Sequence, residues 1–216
     1  MDWSRMFSKF SEMPWYTWAA VVAIALCAVL LFITGKRTKW NSKRIAYAAM
    51  CIAISFVLSL IRIYRMPQGG SVTLLSMFPL IMFAVACGPM RGFLMCFAYG
   101  LLQLLQGADI IHPMQMLLDY PIAYGALAMG GLVKYLPIKD PYRLPSAMLI
   151  GAFFRFIIAV LSGVVFFSSY AIELGQVPVL YSAVYNIGYI GVEALLCAAL
   201  AFVPNIKRLE TIFQGN

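Results

Sequence analysis

The sequence predicts an all-α integral membrane protein with seven membrane-spanning helices, and three observations carry that reading. Apolar residues make up 63% of the 216-residue chain and charged residues only 11%, against about 25% charged in a soluble domain. The apolar residues gather into runs close to the ~20 residues a helix needs to cross a bilayer. Positive charges fall between the runs, mostly on alternate connections, as they do in multi-pass proteins. With a mean hydropathy of +0.87, the net charge of +8 is read by where the charges sit, and nucleic acid is not an expected partner.

The first run covers about residues 15–34. Upstream charges cancel, with Arg5 and Lys9 against Asp2 and Glu12, whereas "GKRTKWNSKR" downstream carries five positive charges and no acid. A secretory signal has the opposite bias, so this run is expected to stay as an anchor. The bias places residues 35–44 in the cytoplasm and the N-terminus outside. The remaining runs lie at about 44–64, 72–87, 90–106, 113–133, 146–168 and 179–203. The third and fourth are short and joined by the tight turn "GPMRG". Threaded from an outer N-terminus to a cytoplasmic C-terminus, eleven of the sixteen Lys and Arg fall on cytoplasmic segments. The outer segments hold Arg5, Lys9, Arg62 and Arg65, and Arg155 lies within a span. Residues 1–40 are thus an N-terminal helix with a basic linker, 41–205 the main membrane domain and 206–216 a tail. The last residues, "RLETIFQGN", look like a protease-site remnant and stand outside the expected fold.

Polar residues inside the spans are the functional signal. Asp119 lies six residues below the outer start of its helix, ~9 Å deep at 1.5 Å per residue, and shares a face with Gln115. On the last span Tyr181, Ser182, Tyr185 and Asn186 lie at comparable depth, and Ser182, Asn186, Tyr189 and Glu193 form one stripe. Outer loops add Asp109, Glu173, Phe166, Phe167 and Tyr170. An ionisable group in a span costs ~2.5–3.5 kcal/mol, so it faces a cavity or a partner. The expected arrangement is an outward-facing pocket for a small, flat, cationic or polar ligand, with ring faces to stabilise a cation. Hydrogen bonding between helices is the competing account and is preferred for Ser182 and Tyr189. Arg155 and Glu193, at equal depth on neighbouring spans, are expected to form a structural ion pair. The lone histidine, His112, is expected to make a contact at the start of its helix.

Motifs for chemistry are absent: there is no GxxxxGK[ST], HExxH or GxSxG, and one histidine builds no metal cluster. No cofactor and no enzymatic activity are expected. The five cysteines lie in or beside apolar runs without a CxxC pair and read as small buried hydrophobes. On the second span Ala46, Ala49 and Ala53 share a face, and the Ala49/Ala53 pair would let another helix approach closely.

The stretches "RMPQGGSVTLLSMFP", "HPMQMLLDYPIAYGALAMGG", "LSGVVFFSSYA" and "PVLYSAVYN", in this order, resemble the thiamine-specific S components of energy-coupling factor (ECF) transporters over about residues 44–203. The resemblance implies a six-helix S-component core plus one extra N-terminal transmembrane helix. It also implies a substrate-binding subunit in the cell membrane, with thiamine or a related small molecule as ligand. Its pocket would lie near the extracellular side, with Asp119 and Tyr120 on the fourth core helix and Tyr181 and Asn186 on the sixth. Phe167 and Tyr170 would offer ring faces, Gln115 and Gln68 would join the substrate-binding residues, and Gln68, Gly69 and Gly70 would belong to a lid. The Ala49/Ala53 face would dock on a transmembrane coupling subunit driven by ATPase subunits. Two positions depart from the family pattern: Ala159 stands where a histidine is usual, and Phe167 where some members have tryptophan. Another vitamin or a thiamine precursor is therefore an alternative ligand. A membrane enzyme using Asp119 with Asp109 or His112, or a helical scaffold, are the alternatives of other classes.

Overall fold

A computed structural model describes residues 40–67, 69–107, 110–203 and 206–214. The expected first span, Gln68 and Asp109 lie outside these residues. The architecture is helical. Helix α1 (Ser42–Leu60) is followed by a two-stranded antiparallel hairpin, β1 (Arg62–Arg65) and β2 (Ser71–Thr73). Then come α2 (Met77–Cys87), α3 (Pro89–Gln103), α4 (Pro113–Tyr135), α5 (Arg143–Phe166), the short α6 (Ser168–Glu173), α7 (Pro178–Ala201) and α8 (Ile206–Gln214). Four of these, α1, α4, α5 and α7, are long and apolar enough to cross a membrane. Their outward faces carry exposed Ile54, Val57, Phe153, Ile157, Val184 and Leu195, the apolar belt a multi-pass membrane protein presents to lipid.

All eleven residues of α2 are buried, so this short helix is the axis around which the others pack. Its length follows from its place, since no part of it has to reach solvent. Gly88, at φ 97°, makes the turn into α3 with Pro89 at the first helical position, the conformation glycine adopts without steric cost. The orphan carbonyls at the end of α2 are met by cations: Lys134 Nζ donates to Ala86 O at 2.8 Å and Arg91 Nη1 to Cys87 O at 2.7 Å. Both also complement the negative end of the helix. At the start of α1, Asn41 Oδ1 accepts from Arg44 N at 2.8 Å, a side-chain cap. The cysteines among the described residues, Cys51, Cys87, Cys96 and Cys197, are free and buried, as small hydrophobes should be.

Two expectations are corrected. The second and third apolar runs do not extend as helices to residue 64 and from residue 72; those ends form the hairpin, paired Arg62↔Thr73 and Arg65↔Ser71 with a bulge between Arg62 and Tyr64. Residues 206–214, set aside as part of a tail, form α8. Phe213 packs edge-on against Tyr47 at 5.2 Å, Glu210 bridges to Arg143 at 2.8 Å, and both are buried. This helix closes the end of the bundle opposite the hairpin.

Close packing of α3 against α4 depends on Gly100. A Cβ there would lie 2.6 Å from Pro121 Cα and from Tyr120 O. Neither backbone atom can move aside cheaply. Gly100→Ala is expected to destabilise the protein by about 1–3 kcal/mol, the usual cost of overpacking. A fall in the thermal unfolding midpoint of the detergent-solubilised variant checks this.

Candidate functional site

At the hairpin end of the bundle a cavity of about 470 Å³ opens between α3, α4, α5 and α7, with the hairpin across it. This is within the range of small-molecule pockets. Each wall is set by local structure.

The α4 wall carries Asp119, Tyr120 and Tyr124. Pro121 falls inside the helix, and Leu118–Ile122 form a π-helical turn. Proline has no N–H to give, and a widened turn is a usual way for a helix to accommodate the local change. It also lets two sequence neighbours, Asp119 and Tyr120, both reach the cavity. Gln115, 2% exposed, donates from Nε2 to Asp119 Oδ2 at 2.6 Å, while its Oε1 accepts from Ile111 N at 3.2 Å. One buried amide thus orients the carboxylate and ties it to the loop before the helix. The donor is a neutral amide, and the cation that shares the cavity with the carboxylate is Arg155 on α5. His112 caps the same helix, its Nδ1 accepting from Met114 N at 3.1 Å, and its ring stacks on Phe166 at 5.3 Å. It serves the start of the helix, as expected.

The α7 wall is aromatic. Tyr181 and Tyr185 stack with centroids 6.4 Å apart, and Tyr185 meets Tyr189 edge-on at 5.9 Å. Asn186 Nδ2 donates to Ser182 O at 2.8 Å and to Ala159 O at 3.4 Å, and its Oδ1 accepts from Tyr189 Oη at 2.7 Å. Ser182 Oγ donates to Val160 O at 3.0 Å. Ser182 and Asn186 therefore staple α7 to α5, the packing role favoured for Ser182. Asn186 also lines the cavity, with its amide N–H groups engaged by protein acceptors.

On α5, Arg155, Ala159 and Gly163 face the cavity, followed by Phe167 just past the helix end. Arg155 lies over the Tyr124 ring, 4.2 Å from its centroid. Here the expected ion pair is corrected. Glu193 Oε1 accepts from Thr73 Oγ1 at 2.8 Å, Ser76 Oγ at 2.9 Å and Met77 N at 3.2 Å, and no bridge to Arg155 forms. Equal depth on two helices fixed the axial coordinate of the pair but not the rotation of either side chain. Tyr170 is a second correction. It is 45% exposed and does not line the cavity, because the chain turns into α6 at Ser168 and carries it outward. Its ring stacks behind Phe167 at 6.2 Å, so it supports that ring from outside.

Sequence reasoning missed Tyr124, Arg62, Gln103 and Gln106 on the cavity wall. Tyr124 was visible as one turn beyond Tyr120 in the same motif. The glutamines were not, since their place depends on how α3 packs: Gln103 and Gln106 both donate to Ser59 Oγ on α1, at 2.9 and 2.7 Å.

Comparison with known proteins gives matches of three kinds. The model of a family described as thiamine transporter protein matches residues 45–213. The thiamine transporter ThiT of Bacillus subtilis is 31% identical over 167 residues, covering 72% of this chain and 86% of that protein. The solved structure of ThiT from Listeria monocytogenes superposes with a TM-score of 0.61 at 24% identity, covering 75% of this chain and 94% of that one. The family match runs through α8, consistent with that helix being part of the fold.

Proposed function

The chain belongs to the thiamine transporter protein family, and from that membership and the cavity we propose that it is the thiamine-binding membrane subunit of an ECF-type vitamin importer. The observation that carries the ligand reading is Asp119, a carboxylate on the wall of an aromatic-lined cavity with a neutral amide as its hydrogen-bond donor. Thiamine joins a cationic thiazolium to an aminopyrimidine. The carboxylate suits either the positive charge or the amino group. Faces of Tyr181, Tyr185 and Phe167 suit the flat rings, each worth about 0.5–2 kcal/mol towards a cation. Tyr120 and Asn186 supply polar edges. The relatives are named as transporters, and we read this chain as a binding subunit without catalysis of its own.

Orientation follows from charge. Lys43, Arg44, Arg91, Lys134 and Arg143 belong to the end away from the cavity, which supports reading the cavity as outward-facing and the C-terminus as cytoplasmic. On α1 the exposed Ala49 and Ala53 form the docking face for a transmembrane coupling subunit, itself driven by ATPase subunits.

A second reading, another vitamin or a thiamine precursor, is favoured by one observation. Ala159 contributes a methyl group where an imidazole would add a donor, and its carbonyl is already bonded to Asn186. Ligand extracted from the purified protein and identified by mass spectrometry separates the two. Thiamine is the expected species; a different vitamin or a half-molecule of thiamine would replace this reading with the second.

A further inference from the structure

We infer that Glu193 is a positioning residue for the cover of the cavity: it pins the foot of the β1–β2 hairpin to α7 and so sets where the hairpin loop lies. The inference rests on the binding-subunit reading above. Glu193 is 2% exposed, and a buried carboxylate needs partners. All three of its hydrogen-bond donors come from one short stretch, the end of β2 and the start of α2: Thr73 Oγ1, Ser76 Oγ and Met77 N. Thr73 Oγ1 and Ser76 Oγ also lie 2.7 Å apart, so the two hydroxyls and the carboxylate oxygen form one compact cluster that shares two hydroxyl protons. Between them Leu75 has φ 61°, a left-handed conformation that a bulky residue keeps only when its surroundings impose it. The Met77 N–H among these donors stands at the positive end of α2, where it has no acceptor within the helix.

The hairpin has a second attachment to the same helix. Gly70 N donates to Tyr185 Oη at 3.2 Å, and a Cβ on Gly70 would lie 2.9 Å from the Tyr189 ring. Tyr185 and Glu193 are eight residues apart on α7, roughly 12 Å at 1.5 Å per residue. The two attachments differ in kind. The lower one is buried and gathers three donors on a carboxylate, whereas the bond between the described residues of the upper one joins a backbone N–H to a neutral tyrosine hydroxyl and is partly buried. Bonds to charged groups are roughly twice as strong as neutral ones. The lower attachment is therefore the pivot, and the upper one is the contact released when the hairpin lifts from the mouth. α2, buried along its whole length, supplies the fixed side of that pivot.

Amide hydrogen exchange on the ligand-free protein reads the pivot, and stopped-flow kinetics with thiamine read its effect on the site. Glu193→Leu and Thr73→Val are both expected to raise exchange in residues 69–73 about tenfold, with little change in the amides of α4 and α5. Both are expected to speed thiamine dissociation about tenfold while association stays near wild type. Glu193→Gln, which keeps an acceptor oxygen, restores most of both. Unchanged exchange in Thr73→Val overturns the inference, and this variant carries the test alone if Glu193→Leu does not fold. An effect of Glu193→Leu on thiamine that Thr73→Val does not share also overturns it, marking Glu193 as a direct ligand contact. Failure of the wild type to bind thiamine would count against the ligand reading, while the exchange measurements would still decide the pivot.

Discussion

Replacing Asp119 by asparagine is expected to weaken thiamine binding about a hundredfold, or roughly 3 kcal/mol, with the fold unchanged. The size follows from the surroundings. An exposed ion pair contributes about 0–1 kcal/mol, but removing one partner of a charge pair shielded from water costs about 2–5 kcal/mol. Asp119 stands in a cavity crossed by the hairpin, and its carboxylate is oriented by Gln115 at 2.6 Å. Asparagine keeps the size and an oxygen for the Gln115 donor, so the change removes charge and little else. Gln115→Leu is expected to have a smaller effect, near tenfold, because it loosens the carboxylate without removing it. Calorimetric titration of the purified variants checks both. A change of less than threefold in Asp119→Asn, with the protein still folded, would return Asp119 to a packing role.

Ala49→Trp is expected to abolish thiamine accumulation by cells while the purified variant binds thiamine with wild-type affinity. On α1 the inward face is Ala48, Cys51, Ser55 and Ser59, and Ala49 and Ala53 point away from it, exposed. The one α1 residue on the cavity wall is Ser59, ten residues and ~15 Å along the helix from Ala49. An indole at Ala49 therefore has no path to the ligand. It would, however, hold off any helix that approaches closely over the small Ala49/Ala53 surface. Uptake measured in cells beside titration of the purified protein separates the two effects. Normal uptake would remove the docking role from this face, and loss of binding as well would mean that the substitution damages the fold.

Much of this architecture is legible in the chain. α4, α5 and α7 begin and end within a few residues of the runs read from hydropathy, because their apolar length is set by the bilayer. The hairpin was not legible. "RIYR" and "SVT" are short and abut apolar runs, and their pairing is decided by contacts across the intervening loop rather than by local pattern. α8 was hidden for the opposite reason: it is polar overall, and its buried Glu210 and Phe213 gain meaning only against Arg143 and Tyr47. For the site, depth along the helices placed Asp119, Tyr181 and Asn186 at one mouth, and the structure lines one cavity with them. Rotation about the helices was beyond reach, which is why Glu193 meets the hairpin foot and Arg155 a tyrosine ring instead of each other. Tyr170 was misplaced because α5 ends at Phe166 and a new helix starts at Ser168, between Phe167 and Tyr170.

The most direct test of the central claim is a calorimetric titration of the detergent-purified wild-type protein with thiamine. Saturable binding of one thiamine per chain, lost or strongly weakened in Asp119→Asn, is the result this account predicts. No saturable binding by a folded wild-type protein, or binding that Asp119→Asn leaves unchanged, would contradict it.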